Sequence, residues 1–271
     1  MQAQSGDSST NRYAAIIAKI FHDRYDSTDS DIAFRRPDII EAAQSLNIDL
    51  PLNLGDVVYS FRYRTPLPSS LQALAPEGMM WVIRPAGRGL YQFSLVPIVD
   101  LTPNQNIAVT KAPDSTPGIV AMYSQGDEQS LLARLRYNRL IDVATGLTCY
   151  SLQNHFRTYV PNIGQVETDE IYVGIDKRGA HYIIPVQAKS GSDSLNIVQI
   201  EQDFDVCEAR FPSLIAKPIG AQFMDDQTVA IFEFERADEG IRVSAERHYQ
   251  FVDPDQVTES DLRTYRQRLI G

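Results

Sequence analysis

The sequence predicts a mixed α/β protein in two parts, and three observations predict it. Three short amphipathic helices followed by a hairpin open the chain. Further on, the order helix, strand, strand, helix, strand describes a mixed-sheet core flanked by helices. Between them, residues 97–125 are rich in Pro, Asn and Ser, with Pro97, Pro103, Pro113 and Pro117. These observations give a front domain over residues 1–100, a linker over 101–125 and a second domain over 126–271.

The polar residues 1–10 are expected to fray. From Asn11 to Tyr25, the apolar residues Tyr13, Ile16, Ile17, Ile20 and Phe21 fall at helical spacing. A polar turn over Asp26 to Asp31 follows. Arg36-Pro37-Asp38 then opens a second helix with Pro37 in its first turn, buried through Ile39, Ile40, Ala43 and Leu46. Asn53 is placed to cap a third helix, Leu54 to Arg64, whose Val57, Val58 and Phe61 face inward. Met79 to Val96 reads as a β-hairpin closed by Pro-Ala-Gly-Arg-Gly. This is the layout of a winged helix-turn-helix, in which the helix before the wing enters the DNA major groove. Here that helix carries Tyr63, Arg62 and Arg64, and the wing carries Arg84 and Arg88. Arginine forks suit guanine edges and phosphates, so these residues are candidate DNA contacts.

The linker is expected to hold strands at Ile107 to Lys111 and Gly118 to Tyr123. One helix is expected from Leu131 to Val143, within Glu128 to Thr158, and a second from Leu147 to Arg157, which would carry Gln153, Asn154, His155 and Arg157. Strands follow at 166–175 and 181–188, then a helix over 194–210. Later strands are expected at Ile215 to Phe223, Val229 to Glu235, Ile241 to Val243 and His248 to Val252. A last helix, Thr258 to Ile270, opens on a Thr-x-x-Asp start.

Bulk composition bounds the function. The 271 residues carry a net charge of −10, which argues mildly against a nucleic-acid partner, because phosphate binding favours a basic protein. The charge is uneven: residues 1–125 hold 10 Lys and Arg against 12 Asp and Glu, whereas residues 126–271 hold 15 against 23. Residues 57–96 are locally basic, with Arg62, Arg64, Arg84 and Arg88 against Glu77 alone. No apolar run reaches membrane-span length, and the start lacks a basic region followed by an apolar core. The sequence therefore predicts a cytoplasmic protein without a membrane partner. Cys149 and Cys207 lack metal-site spacing and read as reduced, buried thiols. No Ser-His-Asp order, phosphate-binding glycine loop or zinc spacing is present.

The chemistry concentrates between Val166 and Lys189. Asp169 stands at the head of the apolar strand Ile-Tyr-Val, and a second strand ends in Val-Gln-Ala-Lys, residues 186–189. Asp169 can offer carboxylate oxygens to Mg²⁺, a hard cation that keeps several waters. Gln187 can present an amide oxygen to the metal, and the Ala188 carbonyl is a further candidate ligand. Gln187 and Lys189, two apart on a strand, project together. Lys189 would stabilise the charge that builds on an attacked phosphate. Glu170 is the second candidate for the principal acid. Glu167 lies on the Asp169 side by alternation, and Asp142 is the nearest helix acid. Arg157 could hold a phosphate; His155 and His181 could titrate near neutrality.

A strand acid, a second strand ending in Gln-x-Lys, and a following helix containing Gln199 and Gln202 resemble the PD-(D/E)xK nuclease superfamily. The resemblance covers residues 130–235, and Val-Gln-Ala-Lys is most like the Mrr-type endonucleases, where Gln replaces the first acid of Glu-x-Lys. It implies a restriction-endonuclease-like core, Mg²⁺ as cofactor, Asp169 as the strand acid and cleavage of DNA phosphodiesters. An acid from an earlier helix often joins such a site. The whole chain is similar in size and plan to type II restriction enzymes, implying a homodimer on double-stranded DNA. A modification-dependent nuclease and a catalytically inactive DNA-binding regulator remain the alternatives.

Overall fold

The computed structural model describes residues 6–124, 126–161, 163–190, 193–225 and 227–268. The expected fraying of residues 1–5, and the end of the last helix at Ile270, lie outside the described residues. The chain divides into two compact units. One is Met1–Ile98 with Tyr159–Gln165; the other is Val99–Thr158 with Val166–Gly271.

The first unit runs α1 (Gly6–His22), β1 (Asp31–Arg35), α2 (Arg36–Leu46), α3 (Gly55–Tyr63), α4 (Ser69–Gln72), β2 (Met79–Pro85) and β3 (Leu90–Pro97). Helix α1 already begins at Gly6, so residues 6–10 are helical where fraying is expected. Pro37 sits in the first turn of α2, and the Asp38 carboxylate accepts the Arg35 N–H at 2.6 Å to close its start. Asn53 accepts the Gly55 N–H at 3.1 Å, just ahead of α3, rather than capping the helix itself. Strand β1 starts at the last residue of the expected polar turn and fills the stretch before α2, where no element is expected. Its alternating burial escapes notice because only Ile32 and Phe34 face inward. The strands form an antiparallel sheet in the order β1-β3-β2. Phe21 packs edge-on against Trp81 and Phe93 at centroid distances of 5.0 and 5.2 Å, tying α1 to that sheet. Gly87 and Gly89, both at positive φ, make the β2–β3 turn.

The second unit contains β4 (Val109–Pro113), α5 (Gly118–Tyr123), α6 (Glu128–Tyr137), α7 (Leu140–Thr145), β5 (Thr148–Val160) and β6 (Gly164–Ile175) apart from their residues within Tyr159–Gln165, β7 (His181–Lys189), α8 (Ile197–Arg210), β8 (Ile215–Ala216), β9 (Ile219–Phe223), β10 (Thr228–Ala237), β11 (Gly240–Val252), a 3₁₀ turn at Pro254–Gln256 and α9 (Glu259–Gln267). The strands build a large mixed sheet in the order β4-β11-β10-β9-β7-β6-β5, with β8 beside β7. β7 runs parallel to β8 and β9, and β4 runs parallel to β11, while β6–β7, β9–β10 and β10–β11 are antiparallel.

Helices flank this sheet. Leu131, Leu132 and Leu135 of α6 and Leu140, Ile141 and Ala144 of α7 pack on Tyr172, Ile184, Val186 and Ala188. On the opposite face, Cys207 of α8 packs on Ile171 and Ile183. One edge is closed by α9: Tyr265 Oη accepts the Lys111 N–H of β4 at 2.9 Å, and Arg268 reaches the Val109 carbonyl. Strand β4 thus belongs to the sheet although its neighbourhood reads as a linker.

Three local expectations are corrected. Gly118–Tyr123 is helical, because the Pro117 carbonyl accepts the Val120 and Ala121 N–H groups and starts a turn. Residues expected as a helix from Leu147 to Arg157 form β5. Their mixed polar and apolar order fits either period, and pairing with β6 decides the outcome. The helix expected to run to Val143 breaks at Arg139, whose φ is 49°, dividing α6 from α7.

Candidate active site

Strand β6 pairs with β7 from Glu170 onward. Just before that point the alternation of β6 breaks. Thr168 Oγ1 donates to Asp203 on α8 at 2.6 Å, whereas Glu170, two residues later, meets Arg136 on α6. Residues two apart on a regular strand share a face, so the strand is irregular between them. Such irregularities re-aim side chains beside functional sites. Asp169 occupies the break. Its Oδ2 accepts the Ala188 N–H at 2.9 Å, supplying a rung where no ladder carbonyl pairs. Burial pushes its carboxyl above the usual range, while the Lys189 ammonium and the Ala188 N–H act against the shift.

Lys189 ends β7 with its side chain almost wholly buried. Its Nζ lies 3.1 Å from Glu128 Oε1. Glu128 opens α6, whose start is fixed by Asp127 accepting the Ser130 N–H and hydroxyl, each at 2.8 Å. Glu128, not Asp142, is therefore the helix acid beside Lys189. Asp142 pairs with Arg139 and accepts the Cys149 N–H at 3.0 Å.

Gln187 is 1% exposed and Asp203 is 0% exposed. Gln187 Nε2 donates to Asp203 Oδ2 at 3.0 Å and Oδ1 at 3.2 Å, and Gln199 Nε2 reaches Gln187 Oε1 at 3.5 Å. Burial pushes the Asp203 carboxyl up to about 7, against the pull of Thr168 and Gln187. Gly220 is the register partner of Gln187 on β9. A Cβ there would stand 2.6 Å from Leu195 Cδ1, so glycine lets Leu195 close in beside the strand.

The other candidates fall elsewhere. Glu170 is completely buried, accepting from Arg136 Nε and Nη2 at 3.0 Å each and from Ser151 Oγ at 2.5 Å. It is an anchor between β6, β5 and α6, directed away from the α8 face. Arg157 pairs with Glu167 at 3.0 Å, and His155 Nδ1 lies 3.6 Å from the same carboxylate. His155 has φ 46°, left-handed backbone inside a strand. His181 is exposed at the start of β7. In the first unit, the Arg62 guanidinium lies over Tyr63 at 4.6 Å and Arg64, just past α3, over Tyr59 at 5.4 Å, making an arginine–tyrosine ladder at the end of α3. Arg88 is exposed in the β2–β3 turn, and Arg84 is half-buried on β2.

The structure thus brings Asp169, Ala188, Gln187 and Lys189 together and adds Glu128 and Asp203. Glu128 had a faint sequence signal: an acid directly behind the capping Asp127. Asp203 had one too, four residues after Gln199 on the same helical face. Among the described residues, no three His, Cys, Asp or Glu side chains form a metal-holding group. Asp169 offers a carboxylate oxygen and Gln187 an amide oxygen, donor types that suit a hard cation that retains water.

No helix of the described residues is long and apolar enough to cross a membrane. No protein-family model, curated protein or solved structure matches the chain.

Proposed function

We propose that this chain is a Mg²⁺-dependent endonuclease that cuts double-stranded DNA at a specific sequence, working as a homodimer. One observation carries the reading. A strand carboxylate, Asp169, is hydrogen-bonded across a break in the sheet to the backbone of Gln187-Ala188-Lys189, and the Lys189 ammonium is paired with a helix acid. A hard-oxygen donor beside a fixed cation is what phosphodiester hydrolysis requires.

Asp169, the Gln187 amide oxygen and the Ala188 carbonyl would hold Mg²⁺, which supplies charge neutralisation and a more acidic bound water. The chain's own groups do the rest. Lys189 would meet a non-bridging phosphate oxygen with its ammonium and oppose the charge that grows as water adds to phosphorus. Glu128 holds that ammonium in place beforehand. An arriving phosphate would compete with Glu128 for the same cation.

For recognition, a winged helix-turn-helix reading is supported by the order of helix, strand, three helices and hairpin and by a sheet ordered β1-β3-β2, although the short α4, not α3, is the helix directly before the hairpin. Arg62 and Tyr63 on α3, Arg64 just after it, and Arg84 and Arg88 on the hairpin are the proposed DNA contacts. Double-strand cutting needs two sites, which a symmetric dimer supplies.

Incubation with plasmid and genomic DNA plus Mg²⁺, followed by end sequencing, tests the activity. Lys189→Ala should keep DNA binding and lose cleavage. Wild-type cutting rates in that variant would overturn the assignment. Methylated and unmethylated substrates side by side separate an ordinary restriction enzyme from a modification-dependent one. DNA binding without cutting under any condition would instead favour a regulator.

A further inference from the structure

We infer that Asp203 is a positioning residue that fixes which end of Gln187 faces the reaction, and that its presence is why an amide rather than a carboxylate stands at 187. The inference rests on Gln187 belonging to the active site proposed above.

An amide has a donor end and an acceptor end, and nothing in a strand backbone chooses between them. Asp203 chooses. Both of its oxygens lie within 3.2 Å of the Gln187 nitrogen, and neither side chain meets solvent. With Asp203 ionised, turning the amide over would set its oxygen against the two Asp203 oxygens with no water to relieve the contact. Gln187 Oε1 is therefore held away from Asp203, on the side where Gln199 Nε2 approaches at 3.5 Å. That is the end able to face a cation. Thr168 secures Asp203 from β6, donating to Oδ1 at 2.6 Å, while the nearer contact to Gln187 uses Oδ2 at 3.0 Å.

The same geometry accounts for the residue type. A carboxylate at 187 would bring two acids to within hydrogen-bond distance inside the protein, where they could share only one proton. The arrangement is reversible on paper. With Asp203→Asn, Oδ1 can keep accepting from Thr168 while the new nitrogen replaces Oδ2. That nitrogen could then donate to a carboxylate introduced by Gln187→Glu. The exchange leaves the net charge of the pair unchanged.

The experiment compares wild type, Gln187→Glu, Asp203→Asn and the double variant by thermal unfolding without substrate, by calorimetric titration with Mn²⁺ alone, and by plasmid cleavage. Gln187→Glu should unfold at lower temperature and weaken Mn²⁺ binding and cleavage at least tenfold. Asp203→Asn should unfold no lower than wild type yet bind Mn²⁺ and cleave several-fold more weakly, because the nitrogen at the Oδ2 position turns the Gln187 amide over. The double variant should recover most of the unfolding temperature and come within about threefold of wild type in Mn²⁺ binding, which strict pairing predicts. Additive losses in the double variant would overturn the inference. So would recovery of unfolding temperature without recovery of Mn²⁺ binding, since a purely structural contact would behave that way. If the wild type binds Mn²⁺ but cuts no DNA, the nuclease reading fails while the unfolding and titration cycles still decide the role of Asp203.

Discussion

Replacing Arg136 by Met should destabilise the second unit strongly, and the structure sets the size of the effect. Glu170 is 0% exposed, and two of its three side-chain donors are the Arg136 nitrogens, each at 3.0 Å. Ser151 Oγ, at 2.5 Å, is the third. Removing the guanidinium leaves a carboxylate inside the protein with one neutral hydroxyl. Breaking a buried pair from one side costs about 3–5 kcal/mol. The Arg136 side chain is 37% exposed, so part of the pair is already solvated; about 2–4 kcal/mol is the fitting range. For a unit of this size that lowers the unfolding midpoint by about 5–15 °C. The neighbouring Tyr172 hydroxyl, kept protonated by burial and by the Glu170 charge, can donate to the stranded acid, which favours the lower part of that range. Circular dichroism melting of wild type, Arg136→Met, Glu170→Leu and the double variant measures this directly. The double variant should regain most of the loss, since an apolar pair of similar volume leaves no buried charge. If Arg136→Met melts within about 0.5 kcal/mol of wild type, the account of Glu170 as a structural anchor is wrong. Its candidacy as a catalytic acid would then reopen.

Other outcomes follow from the same structure. Asp203 should make stability fall with rising pH. Its folded carboxyl is pushed up to about 7 from an ordinary 3.8, so between those values the unfolded chain has lost a proton that the folded one keeps. The cost is absent below the unfolded value and complete above about 7, on the order of 4 kcal/mol; denaturant titrations should show this slope, and Asp203→Asn should flatten it. An unchanged slope in that variant would assign the pH dependence to other groups. Gly220→Val should cost about 1–3 kcal/mol by overpacking, because the added Cβ meets Leu195 Cδ1 at 2.6 Å and Phe234 Cε2 at 3.1 Å. Denaturation midpoints equal to wild type would count against that packing. Removing residues 258–271 strips Tyr265 and Arg268 from β4. Size-exclusion chromatography should then show association through the bared edge, and an unchanged monomer–oligomer profile would speak against the capping role of α9.

Much of the fold was legible where local pattern and tertiary pairing agree. Strands β6 and β7 fall within two residues of their expected bounds, because their apolar runs end at Asp176 and Lys189. The Thr258 capping box was readable for the same reason, since both of its partners lie within one turn. Strand β5 was not. Residues 150–155 are all exposed, so no hydrophobic face announces the strand period, and its pairing comes from β6 beyond the local window. The site was legible as two strand segments, with Asp169 and Lys189 at their ends. It was not legible as a cluster. Glu128 and Asp203 lie on helices 61 residues before Lys189 and 16 residues after Gln187, and only the stacking of α6 and α8 on opposite faces brings them in. The break at Asp169 also defeats strand alternation, which assigns Thr168 and Glu170 to one face when they serve two.

The rung between Asp169 and Ala188 has a consequence for denticity. A carboxylate has two oxygens, and Asp169 spends Oδ2 on a backbone N–H of the neighbouring strand. A cation at this acid would then be gripped through a single oxygen, unless the end of the β6–β7 ladder loosened to release the other. Chelation by both oxygens would draw on the second lone pair of Oδ2 and weaken the Ala188 rung. Amide hydrogen exchange at Ala188 would therefore report ligation: protection persists through one-oxygen binding and collapses when the acid turns both oxygens outward.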